Sequence, residues 1–175
     1  MNSVIRLALA LELVFFSTPA TSFAPALLDR LVAAGQLIDP HSTGQLYEQQ
    51  GFGPQWTKKQ IASLVSALDS ASDHGLDPAD YHIDQLRSGA SRDDRTDILA
   101  TDAFLVYAAH LLNGKVKPVT IEPTWTAKVK EVDLVAYLVT SLTREDIAAS
   151  LDSLAPQQPR YRLLMDALQR YRKIA

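Results

Sequence analysis

From Leu27 onward the apolar positions of the chain recur at helical spacing. Leu27, Leu28, Leu31 and Val32 predict a short helix closed by Gly35. Ile61, Leu64, Val65 and Leu68 keep the i, i+3, i+4, i+7 order that lays one apolar stripe along a helix. Thr57 and Gln60 stand in capping-box spacing at its start, the hydroxyl and the amide each able to take a free backbone N–H, and Gly75 is placed to end it. Between these helices Tyr47, Phe52, Pro54 and Trp56 cluster around Gly51 and Gly53. Residues 45–56 therefore predict an irregular segment pinned by large side chains.

Asp77-Pro78 sets an N-cap carboxylate before a proline that fits the first helical turn, and a short helix carrying Tyr81 and Leu86 is expected after it. Residues 88–95 are polar and charged and read as a loop. The stretch from about Asp97 to Asn113 is different: between Ile98 and Leu112 only Thr101, Asp102 and His110 are not apolar. A helix that is apolar nearly all round must be surrounded, so this one is expected at the centre of the fold, ended by Gly114. Pro118 and Pro123 make residues 116–125 an extended excursion.

Three more helices follow in the pattern. Leu134, Leu138 and Leu142 mark the first; Ile147, Leu151 and Leu154 mark the second, with Thr143 and Asp146 in capping-box spacing at its start. Pro156 and Pro159 stop that helix and launch the last, where Tyr161, Leu164, Leu168 and Tyr171 form a stripe among Arg160, Arg162, Arg170 and Arg172. No strand-like alternation runs for a useful length. The expected fold class is all-α: an irregular bundle of six or seven helices with long aromatic- and proline-rich connections.

Composition narrows the chemistry. A chain of 175 residues, 47% of them apolar, supports one sizeable core. It contains no cysteine, which excludes disulfides, thiolate metal sites, iron–sulfur clusters and a cysteine nucleophile, and leaves the redox compartment open. A net charge of −3 gives no global field for nucleic acid. Residues 1–24 have the outline of a signal peptide: Arg6, an apolar run from Leu7 to Phe16, then small residues at Thr18 and Ala20. This predicts a periplasmic or secreted protein whose mature domain spans 25–175 without a transmembrane span. Glu12 interrupts the run, and the alternative is an amphipathic first helix of a cytoplasmic protein.

Candidate sites are few. His74, His82, Asp73, Asp77 and Asp80 are types that suit zinc, iron or manganese, but Gly75 and Asp77-Pro78 divide them between two helices, so capping accounts for them and no metal site is assigned. Asp102 and His110 lie about 80° apart around the helix and about 12 Å along it, too far to form a dyad; each is expected to be tied to a neighbouring helix instead. No Gly-x-Ser-x-Gly elbow, phosphate-binding glycine loop or His-Glu-x-x-His helix is present, so no cofactor and no catalytic residue is assigned. Trp56, Tyr81 and Trp125 are candidates for stacking on a glycan or partner, against the reading that such aromatics plug loops onto the core.

Taken in order, Gly51-Phe52-x-Pro54-x-Trp56, then HGLDPADYH over His74–His82, Thr101-Asp102-Ala103-Phe104-Leu105-x-Tyr107-Ala108, Gly114-Lys115-Val116, Pro123-x-Trp125 and Leu154-Ala155-Pro156-Gln157-Gln158-Pro159-x-Tyr161 form a pattern. It resembles the N-terminal scaffold domain of the large periplasmic L,D-transpeptidases, which cross-link peptidoglycan stem peptides. The resemblance runs from about Ala26 to Lys173. It implies a helical support that in such proteins precedes a peptidoglycan-binding module and a catalytic domain with a cysteine nucleophile. Neither module is expected in this chain, and with no cysteine no catalytic role carries over. The resemblance thus implies a non-catalytic domain working on the cell wall through a cell-wall enzyme or peptidoglycan itself. The alternatives are a truncated or split transpeptidase needing a separate catalytic chain, and a cysteine-free hydrolase using Asp102, His74 or His82. If Tyr161, Leu164 and Leu168 are left uncovered, a missing partner is implied.

Overall fold

The computed structural model describes residues 25–88, 93–116 and 130–174. Their elements are α1 (Pro25–Ala33), α2 (Pro40–Gln50), α3 (Lys58–Asp69) running into a 3₁₀ turn (Ser70–His74), a second 3₁₀ turn (Pro78–Tyr81), α4 (Ile83–Ser88), α5 (Asp94–Asn113), α6 (Leu134–Arg144), α7 (Ile147–Leu154) and α8 (Pro159–Arg172). Among the described residues there is no strand, and the all-α expectation holds with eight helices rather than six or seven. None of these helices is long and apolar enough to cross a membrane.

The additional helix is α2, which replaces the first half of the expected irregular segment. Its sequence, PHSTGQLYEQQ, is polar on most sides and buries only Thr43, Leu46 and Tyr47. Asp39 caps it by accepting from Ser42 N, and Pro40 occupies the first turn, the same device as Asp77-Pro78. The irregular part is confined to residues 51–57, after Gly51 ends α2 in a left-handed conformation (φ 81°).

α5 is the axis of the molecule. Every residue from Thr96 to Ala108 is buried, as is Leu111, and α1 to α4, α6 and α7 all pack against it. It starts three residues earlier than the sequence suggests, because Asp93 caps it by accepting from Thr96 N at 2.7 Å. Asp97, one turn inside the helix, instead accepts from the Gln55 and Trp56 backbone. Trp56 packs against Phe104 with centroids 6.2 Å apart, and Tyr81 against Tyr107 at 5.0 Å. Such burial stabilises by roughly 1.5–3 kcal/mol for a fully covered large side chain.

The cap at Thr57 forms as expected: Gln60 N donates to its hydroxyl and Thr57 N donates to Gln60 Oε1. Gln60 then spends its amide N–H on Leu142 O at 2.7 Å, tying α3 to the end of α6. The second expected capping box does not form. α6 continues through Arg144, so Thr143 bonds back to Val139 O within it, while Asp146 accepts from the Ser150 hydroxyl. The expected signal peptide lies outside the described residues, as does most of the excursion over 116–125.

Candidate functional site

Two carboxylates on α5 organise the half of the molecule that precedes it. Asp102, with no solvent exposure, accepts from Ile38 N and Asp39 N at 2.9 Å each, from the Thr43 hydroxyl at 3.1 Å and from His82 Nε2 at 2.7 Å. Asp97 accepts from the Tyr47 hydroxyl at 2.8 Å and from Gln55 N and Trp56 N. The Trp56 indole N–H donates to the Thr101 hydroxyl at 2.9 Å. Each carboxylate thus takes up backbone donors that a loop would otherwise bury unpaired, a loss of about 1–3 kcal/mol per group. Among the described residues no buried side-chain polar atom lacks a partner.

Burial by itself raises the Asp102 carboxyl, but the bonds from His82, Ile38 N and Asp39 N, with the nearby imidazole charge, hold it below the usual carboxylate value of 3.8. His82 reaches it from a left-handed backbone (φ 55°) at the end of the Pro78–Tyr81 turn, a conformation costly for a non-glycine residue. The strain is offset by the charge-assisted bond. A histidine oriented by a carboxylate is half of a general acid–base arrangement, yet neither residue lines the two clefts beside α8. Its evident task is to join α5, α2 and the Pro78–Tyr81 turn.

Among the described residues two clefts lie at the other end, where α8 meets the Ser70–His74 turn. One, of about 590 Å³, is bordered by His74, His110, Lys130 and Tyr161; the other, of about 520 Å³, by Asp73, His74, Asp152, Tyr161 and Arg162. The pair His74 Nδ1 and Tyr161 Oη, 2.9 Å apart with stacked rings, stands between them. Burial pushes His74 below its ordinary 6.5, against the opposing pull of Asp152 and Asp73, and pushes Tyr161 up. His110, lowered by burial and by Lys115, is bonded through Nδ1 to the Tyr81 hydroxyl at 2.9 Å. At neutral pH the clefts therefore present neutral imidazoles. Among the described residues no three His, Asp or Glu side chains are grouped to hold a metal ion.

Sequence-predicted residues fall unevenly on this map. Trp56 and Tyr81 are fully buried, held by Thr101 and His110, and have no ring face left for a glycan: the core-plug reading is the one observed. Trp125 lies outside the described residues. Asp102 and His110 do not meet, and each is tied to another element as expected. The pairing of Asp102 with His82, twenty positions apart, leaves no signal in the sequence, because spacing relates residues within one helix and not across a turn. The same applies to His74 and Tyr161.

A family model described as Scaffold domain matches residues 41–168, nearly three quarters of the chain. The chain belongs to this family, and the match supports a scaffold domain of the L,D-transpeptidase type, with the all-α architecture found here. No curated protein and no solved structure matches it.

Proposed function

We propose that this chain is a non-catalytic, cell-wall-associated helical domain that acts in peptidoglycan cross-linking or remodelling through a partner, from a periplasmic or secreted position. The observation that carries the reading is scaffold-family membership in a chain with no cysteine. The thiolate attack on an acyl donor that defines L,D-transpeptidase chemistry has no nucleophile in these residues. The apolar run of residues 7–16 behind Arg6 supports export. The exposed outer face of α8 favours one further reading, a domain that works with a catalytic module carried by a separate polypeptide.

The test is sedimentation of the purified protein with isolated peptidoglycan sacculi, beside muropeptide analysis of sacculi treated with an L,D-transpeptidase catalytic domain with and without the protein. The reading expects co-sedimentation or a changed yield of cross-links, and no turnover by this chain alone. Turnover by the chain alone, or no effect in either assay, would overturn it. N-terminal sequencing of the protein recovered from cells tests export separately: a start near residue 21 supports it, and an intact Met1 contradicts it.

A further inference from the structure

α8 carries two stripes, and only one of them is used. Tyr161, Met165 and Leu168 turn toward the body, where Gln169 donates to Asp73, and Arg172 to Ser72 O, on the Ser70–His74 turn. About a quarter turn round lie Leu164, the half-buried Ala167 and Tyr171, with Leu163 beside them, and Ile174 follows in the turn past the helix end. Leu164 is 68% exposed, Tyr171 74%, Leu163 64% and Ile174 82%, and α8 has no buried residue at all. Within the helix the spacing of 164, 167 and 171 is three then four, the a/d register of a helix seam.

We propose that this seam is a docking surface for an amphipathic helix of a partner protein, with Leu or Ile along its apolar line and Asp or Glu beside it. The proposal names the partner's chemistry within the reading of the domain as a partner-binding module. Charge selects the acidic flank. α8 holds four arginines against one aspartate, a net +3 within a chain of net −3, so the rest of the chain carries −6. Arg160 continues the seam at its N-terminal end and Arg170 borders it; both are exposed, and neither forms an ion pair among the described residues.

The same features disfavour other occupants. A second copy packed face to face would bring one arginine-rich helix of net +3 against another of the same charge. A membrane surface is matched by a broad apolar face, whereas this seam is narrow and has Arg160 in line with it. Because α8 is already folded and latched to the body, a partner helix meets an ordered surface and the ordering cost of association is reduced.

The probe is a pair of synthetic three-heptad peptides with Leu at a and d: one with Glu at e and g, the other with Lys. Binding to the full chain is followed by fluorescence anisotropy at low and at 0.5 M salt, with circular dichroism confirming that each variant folds. The acidic peptide is expected to bind at least tenfold more tightly than the basic one, with a preference that shrinks in high salt. Leu164→Asp with Tyr171→Asp is expected to weaken it at least tenfold. Arg160→Glu with Arg170→Glu is expected to reverse the preference. Equal binding of both peptides, no binding, or binding untouched by the seam variants overturns the proposal. So does concentration-dependent dimerisation abolished by Leu164→Asp, or tighter association with phosphatidylglycerol vesicles than with the acidic peptide. These outcomes are independent of the sacculus assay: peptide binding without any wall effect leaves the seam standing and removes the cell-wall reading, and the converse removes the seam.

Discussion

α5 and α8 are both helices rich in large apolar residues, and they have opposite fates. α5 is enclosed by six other helices and buries thirteen consecutive residues; α8 rests on one 3₁₀ turn and buries none. The difference lies in how each meets its neighbours. α5 offers apolar surface in every direction plus Asp97 and Asp102, which recruit backbone donors from two preceding loops. α8 splits its apolar residues into two stripes, and the arginines among them keep the outer one wet. One helix holds the fold together, and the other presents a surface.

The contrast is broken most severely at α5. Asp102→Ala leaves Ile38 N, Asp39 N, the Thr43 hydroxyl and His82 without their shared acceptor, and is expected to cost about 3–5 kcal/mol or to prevent folding. Phe104→Ala is expected to cost a similar about 3–5 kcal/mol through the cavity it opens beside Trp56. Urea unfolding of each variant checks both. Because the folded state holds the Asp102 carboxyl below 3.8, its contribution is present at neutral pH and is lost as pH falls through that value and lower. Asp102→Asn should therefore flatten the acid limb of a stability–pH curve.

A smaller effect is expected at the latch between α8 and the body. Tyr161→Phe removes the bond to His74 and should cost about 1 kcal/mol, read as faster amide exchange confined to α8. His74 is held below 6.5 in the folded state, so its contribution is complete above that value and declines as pH drops through it. Protection of the α8 amides, taken relative to the intrinsic exchange rate at each pH, should fall from pH 7 to pH 5 before that of α5 does. The smallest effect belongs to the outer seam: Leu164→Ala or Tyr171→Ala should move the unfolding midpoint by less than about 0.5 kcal/mol.

What was legible in the sequence follows the same physics. The central helix could be placed because an apolar run with three polar exceptions has only one environment open to it. The cap at Thr57 could be placed because both its partners lie within four residues. α2 leaves no helical stripe in the sequence because its buried face is three residues wide, although Asp39-Pro40 carries the same start signal as Asp77-Pro78. The Asp102–His82 and His74–Tyr161 pairs were not legible, since each depends on how separate elements pack. For Trp56 and Tyr81 the sequence allows either a surface or a core place, and their burial puts them in the core.

The division between a holding helix and a presenting helix meets its most direct test in one double variant, Leu164→Asp with Tyr171→Asp, measured for urea stability and for anisotropy with the acidic peptide. Stability within about 0.5 kcal/mol of the unaltered protein, together with at least a tenfold loss of peptide binding, is the expected result. A loss of more than about 2 kcal/mol would mean that the seam is already buried in the folded chain, and unchanged binding would mean that it docks nothing.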